Sequence, residues 1–152
     1  MLIRTHLAIT LFFVLLFIGS VENEIVFVFV ALLTTLIPDV DSKNSTLGNR
    51  KIFRPLQFFL KHRGIVHSFT FLILIIFLFV LFLPILAFPF FLGYSSHLVA
   101  DSFTQRGIRP FYPFKRNISG RIRTGGKAEV SIFTLFILAN LFLLILKISE
   151  FF

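Results

Sequence analysis

The chain has 152 residues, of which 57% are hydrophobic and 14% are charged, and this is far more apolar than an ordinary soluble domain of the same size needs to be. Cysteine is absent, which excludes disulfides and thiolate metal sites and leaves nitrogen and oxygen ligands for any metal. The net charge of +8 comes from basic residues between apolar segments, a pattern that favours anionic membrane lipids over nucleic acid as the partner.

Four apolar segments follow one another along the chain, at residues 7–19, 25–37, 69–99 and 130–148. A bilayer crossing takes about 20 helical residues, so the third segment is too long for one span. Pro84 and Pro89 lie near its middle and predict two helices, over residues 65–83 and 85–101, joined by a tight turn. The sequence therefore predicts an all-α integral membrane bundle of about five spans, two of them short, forming a single domain over residues 1–152.

The distribution of basic residues supports five spans. An odd number of spans puts the N-terminus and the loops 38–64 and 102–129 on one side of the membrane. Every lysine and arginine except Lys147 then lies on that side, which the positive-inside rule identifies as the cytoplasmic face of the inner membrane. An alternative for the first segment is a cleaved signal peptide, which would remove His6 and leave the later topology unchanged.

Histidines and carboxylates gather at the cytoplasmic ends of the predicted spans. His6 begins the first span, Asp39 and Asp41 follow the second, His67 begins the third, and His97 with Asp101 ends the fourth. Side chains of these two types, projecting from several helices, are how a helical bundle builds a metal site. The donor set suits zinc, with manganese and iron as alternatives.

Each of these motifs also has a simpler interpretation. The spacing of His97 and Asp101 puts both side chains on one helix face, which fits two metal ligands or a plain hydrogen bond. Asp39 and Asp41 after Pro38 are also typical of a solvated helix stop. Residues 62–68 are also typical of an interfacial anchor. Convergence of four separate helix ends on one membrane depth is what favours the metal site.

Other polar residues are candidates for binding an anion or moving protons. The guanidinium groups of Arg63, Arg121 and Arg123 can each offer two parallel donors to a phosphate, or can anchor the protein to lipid headgroups. Glu129 is a further ligand, a general acid or base, or a favourable charge near the N-terminus of the last helix.

Taken in order, the sequence motifs resemble the YdjM-like family of membrane proteins, which are predicted to be metal-dependent hydrolases. The resemblance rests on His6, on Pro-Asp-Val-Asp at 38–41, on His-Arg-Gly-Ile-Val-His-Ser at 62–68, and on residues 93–107, which contain Ser-His-Leu-Val-Ala-Asp. It extends from His6 to Glu129. The family often has threonine where this chain has Val66, which affects any hydroxyl role there but not the metal ligands.

The resemblance implies an integral membrane hydrolase, distantly similar to zinc-dependent phospholipase C and P1 nuclease. That similarity implies more than one bound ion and phosphoester or lipid-linked substrates, hydrolysed at the cytoplasmic interface. Arg63 would hold the substrate anion, and His62 or Glu129 would move protons. The implied metal ligands are His6, Asp39, Asp41, His67, His97 and Asp101.

Two functions of other classes remain open. A transporter for divalent cations would use the same ligand types, but transport sites need polar residues near the bilayer midplane, where Asn140 is the main exception to an apolar pattern. A membrane scaffold without enzymatic activity would make the histidines incidental.

Overall fold

The computed structural model describes residues 1–41 and 64–151, and this part of the chain is mainly helical. It contains two isolated β-bridges and no strand, so the predicted all-α class is confirmed for the described residues. Short 3-10 turns at Ile18–Ser20 and Pro38–Asp41 follow the first two helices. The helices are α1 (Ile3–Phe17), α2 (Glu24–Leu36), α3 (Phe69–Phe82), α4 (Pro84–Ser102) and α5 (Lys127–Phe151).

The long apolar segment breaks at Pro84, as the sequence predicts. Leu83 separates α3 from α4 with non-helical backbone angles, and Pro84 occupies the first turn of α4, where a missing backbone N–H costs nothing. Pro89 lies inside α4 and not in the turn. The two helices pack against each other, with the Phe79 and Phe90 rings in edge contact at 5.1 Å.

Helix α4 lies at the centre of the bundle, in contact with α1, α2 and α3, while α5 packs on α1. Its approach to α2 depends on Gly93, because a Cβ added there would lie 2.0 Å from the carbonyl oxygen of Ala31. The backbones therefore touch at a point where only glycine fits. This contact fixes the position of α4 along the axis of α2. It thereby also fixes the position of the polar residues near the C-terminal end of α4.

The outer surfaces of the bundle are apolar. Phe77 on α3 and Ile145 on α5 are 60% and 66% exposed, and many neighbouring leucines and phenylalanines are similarly open. Such continuous apolar surface marks contact with lipid or another protein. By length and composition, two helices qualify as membrane spans, Ile3–Ser20 and Lys127–Ser149, and α3 is a shorter apolar helix. The count of five spans remains a prediction.

The loop between α4 and α5 folds back over the ends of the helices. Ile108 and Ile118 form an antiparallel bridge, Thr104 and Ile122 a parallel one, and Phe69 at the start of α3 donates its N–H to the carbonyl of Pro110. Gly107 makes the turn possible with a φ of +63°, a conformation that side chains with a Cβ rarely adopt. The loop thus closes the end of the bundle where the histidines lie.

Candidate metal centre

Five of the six predicted ligands have described side chains, and the structure brings all five together. His6, His97 and Asp101 each offer one ligand atom, and these atoms lie within 4.8 Å of one another. Asp39, His67 and His97 form a second group by the same measure. The two groups overlap at His97, and we call the five residues the His97 cluster.

The rings of the cluster are closely packed. His6 stacks on His97 with centroids 3.9 Å apart and planes 10° from parallel, and His67 meets His97 edge-on at 5.6 Å. Carboxylates lie at the ring edges: Asp101 Oδ1 is 3.3 Å from His6 Nε2, and Asp39 Oδ1 is 3.9 Å from His97 Nε2. His97 is therefore the central residue, with an imidazole on either side.

Burial makes this arrangement costly without an additional ligand. His97 is 1% exposed, and neither of its ring nitrogens has a hydrogen-bond partner among the described residues. A buried polar group left unpaired costs about 1–3 kcal/mol, and native proteins rarely leave one without a reason. A divalent ion bound by nitrogen and oxygen would satisfy these atoms, so the residues fit such an ion.

The electrostatics around Asp39 fit the same explanation. Burial raises the pKa of the Asp39 carboxyl above its ordinary value, and the nearby His6 and His67 oppose that effect only in part. A buried carboxylate in this position is ionised more readily when a cation lies beside it.

Local structure fixes each ligand in place. The i,i+4 spacing aligns His97 and Asp101 on one face of α4, as the sequence predicts. Ser68 caps α3 by accepting the N–H of Phe71 and donates its hydroxyl to Ile65, which fixes the backbone on either side of His67. Tyr94 donates its hydroxyl to the carbonyl of Val66, which ties this turn to α4.

A layer of buried hydroxyls lies next to the cluster and is absent from the sequence-based predictions. Thr10 Oγ1 is 2.6 Å from Ser96 Oγ and 2.8 Å from Thr35 Oγ1, so α1, α2 and α4 meet at one polar point. Thr10 follows His6 by four residues and Thr35 precedes Asp39 by four. This shared spacing of four residues is the sequence feature that could have indicated the hydroxyl layer. Isolated threonines are too common in apolar helices for the spacing alone to identify the layer.

Glu129 lies outside both ligand groups and is held by backbone donors. It is 1% exposed, and its two oxygens accept the N–H of Leu2 at 2.5 Å and that of Gly125 at 2.6 Å. These bonds connect the start of α1, the preceding loop and α5. Of the three interpretations of Glu129, this geometry fits a favourable negative charge near the N-terminus of α5.

The remaining predicted residues are Asp41, His62, Arg63, Arg121 and Arg123. Asp41 ends the second 3-10 turn, and only its backbone is described. His62 and Arg63 lie outside the described residues. Arg121 and Arg123 are exposed, and Arg123 and Arg106 line a polar cavity of about 380 Å³.

Comparison with known proteins gives the family. The model of the family described as YdjM inner membrane protein matches residues 1–150. The chain belongs to the YdjM inner membrane protein family. It is 36% identical over 92 residues to the inner membrane protein YdjM of Escherichia coli K12, an alignment covering 55% of this chain and 47% of that protein. The YdjM protein of Shigella flexneri gives the same values.

Family membership places this chain in the inner membrane, in agreement with the apolar helices. The chain spans about half the length of the curated relatives that it matches. No solved structure is significantly similar to it. The names of the relatives give a location and no reaction.

Proposed function

We propose that this chain is a metal-dependent hydrolase that acts at the cytoplasmic face of the inner membrane on a phosphoester or lipid-linked substrate. The single observation that carries the proposal is the His97 cluster, in which three imidazoles and two carboxylates from four parts of the chain meet in a buried site.

The donor set supports zinc, with manganese or iron as alternatives, because all of its donors are nitrogen or oxygen. Two ligand groups that overlap at His97 support more than one ion. When bound, divalent ions activate a water molecule and stabilise the charge that develops on a phosphoryl oxygen. Asp41 completes the proposed ligand set.

Other residues of the chain would bind the substrate and move protons. Arg63 would hold the substrate anion through its planar pair of donors. His62 and Glu129 are the candidates for proton transfer. Glu129 would have to give up a backbone hydrogen bond to Leu2 or Gly125 before it could act, which favours His62 for this role.

A five-span topology would place the cluster at the cytoplasmic interface, where headgroups lie. The 13 residues of α2 are about 20 Å long, which is short of the roughly 30 Å hydrocarbon core, so the bilayer would be locally thinner there. Basic residues of the loop between α4 and α5 would then face anionic lipid headgroups.

The test compares metal content and phosphoester hydrolysis in matched histidine variants of the detergent-purified protein. His97→Ala should lose bound zinc and activity together, because His97 belongs to both ligand groups. His62→Ala should keep its zinc and lose only activity. Zinc content in His97→Ala equal to that of wild type would contradict the ligand assignment, and a folded wild-type protein without metal would favour a scaffold.

A divalent-cation transporter is the second candidate, and the layer formed by Thr10, Thr35 and Ser96 favours it. These hydroxyls extend the polar region from the cluster toward the interior of the bundle. Metal uptake into sealed proteoliposomes, lost in His97→Ala, would support transport over hydrolysis.

A further inference from the structure

A long apolar groove runs along the bundle between α4 and α5, with α1 at its base. Its volume is about 610 Å³, and its lining includes Phe13, Phe88, Phe91, Val99, Phe103 and Ile132. From Phe88 to Phe103 the groove follows nearly the whole of α4, a length of roughly 20 Å at 1.5 Å per residue. Apolar side chains dominate the lining, with Ser95 and Ser96 as polar exceptions.

One end of the groove adjoins the His97 cluster. Ser96 and Ala100 line the groove, and His97 and Asp101 follow them on the adjacent face of α4. On α1, Ile9 lines the groove three residues after His6, which places the two on neighbouring positions of one helix face. No residue of the cluster lines the groove itself, but an occupant would have one end next to the proposed metal centre.

The dimensions of the groove suit a slender, elongated molecule. Its volume of about 610 Å³ falls within the range of about 300–1,000 Å³ that is typical of sites for small molecules. Its length exceeds one leaflet of the hydrocarbon core, which is about 15 Å, so an extended hydrocarbon chain fits it.

We infer that this groove binds a single acyl or isoprenoid chain of the substrate and so positions the attached phosphoester at the His97 cluster. The inference rests on the proposed function and deepens it, since it specifies an amphiphile with an anionic phosphoester headgroup. The apolar lining holds the chain by van der Waals packing, as the surrounding lipid would, and the adjoining histidines and carboxylates select the headgroup through the bound metal.

Native mass spectrometry of the zinc-loaded protein in detergent tests this without any need for catalysis. The probe is a phosphonate analogue of dioleoyl phosphatidate, in which a carbon–phosphorus bond replaces the ester bond that the proposed activity would cleave. Val99→Trp and Ile132→Trp fill the groove from α4 and α5 respectively. The matched controls Val80→Trp and Ile137→Trp place the same side chain on exposed surfaces outside the groove. Because each wall has its own variant, the misfolding of one leaves the other informative.

Wild type and both controls should retain one molecule of the phosphatidate analogue per chain. The groove variants should retain it several-fold less, because the indole fills space that the hydrocarbon chain would occupy and removes its packing contacts. Removal of zinc with a chelator should also release the lipid from wild type. Equal retention in groove variants and controls, or retention that ignores zinc, would overturn the inference.

Failure of the proposed function would look different. A wild-type protein that binds no zinc and hydrolyses neither dioleoyl phosphatidate nor a soluble phosphoester would refute the hydrolase. A protein that binds zinc and hydrolyses the soluble phosphoester, but whose groove variants retain the phosphonate analogue like the controls, would refute only the groove.

Discussion

His97 and Asp39 show how single residues set the chemistry of this bundle. His97 is buried between two other imidazoles, and the neutral form of its ring is the one that binds a metal. Asp39 supplies a carboxylate to the same ring from the end of α2. The pH dependence of stability should therefore differ between the metal-free and the metal-bound protein.

In the metal-free protein, stability should fall as the pH rises through the titration of Asp39. Burial raises the pKa of this carboxyl above its ordinary, unfolded value, so the folded state binds the proton more tightly than the unfolded state does. Its contribution is complete below the unfolded pKa and is lost as the pH rises through the folded pKa. With zinc, which requires the ionised carboxylate, stability should instead rise with pH.

Thermal unfolding between about pH 4 and about pH 7.5, with and without zinc, measures both trends. Asp39→Asn removes the titrating group and keeps the shape of the side chain. Without zinc, wild type should lose stability relative to this variant as the pH rises. With zinc, wild type should instead gain stability relative to the variant over the same range. The same pH dependence in both proteins would show that Asp39 does not titrate in this range.

Residue spacing alone predicts part of the cluster. His97 and Asp101 are one helical turn apart, so their common face follows from the sequence. The stacking of His6 on His97 does not, because it depends on how α1 and α4 are aligned along their axes. Composition could not distinguish a catalytic Glu129 from one held by two backbone amides, since both are glutamates at a helix N-terminus.

At the scale of the helices, the hydroxyl layer determines how α1, α2 and α4 fit together. Thr35 Oγ1 lies 2.8 Å from Thr10 Oγ1 and from the carbonyl oxygen of Ala31. Thr35→Val keeps the shape and removes the hydroxyl, leaving Thr10 with one fewer partner. The free energy of unfolding should fall by about 1–2 kcal/mol, which is the usual cost of breaking a buried hydrogen bond.

Reversible unfolding in mixed micelles measures this loss, and zinc titration of the same samples shows whether the ligands above the layer have moved. Thr134→Val on the exposed surface of α5 is the matched control and should change the free energy by less than about 0.5 kcal/mol. Equal effects of the two substitutions would mean that the layer does not hold the helices in position.

The helix boundaries were largely predictable, and the contacts between helices were not. Pro84 begins a helix because its ring removes a backbone donor, which is a local property that the sequence displays. The close approach at Gly93 depends on Ala31, which lies 62 positions earlier on another helix. Nothing in the sequence near Gly93 distinguishes it from a glycine at a flexible position.

For the whole molecule, apolar composition and the charge of the loops indicate an inner membrane protein, and the family relation confirms that location. The groove between α4 and α5 was beyond prediction, because its phenylalanines look like ordinary lipid-facing residues until the position of α1 is known. The groove lies next to the cluster because of contacts between helices that are distant in the sequence. The local sequence pattern of each helix does not predict these contacts.

Metal binding should stabilise the fold as a whole, because the ligands come from α1, α4 and the segments that follow α2 and precede α3. An ion that binds only the folded state at 100 times its dissociation constant adds about 2.7 kcal/mol to the free energy of unfolding. Zinc should therefore raise the thermal midpoint of wild type and raise that of Asp101→Asn by less, because one of the two ligand groups has lost its carboxylate. Glu22→Gln, on the exposed turn before α2, is the matched control and should respond as wild type does. If zinc raised the midpoints of all three proteins equally, it would be binding elsewhere, and the His97 cluster would be a packing feature of the bundle.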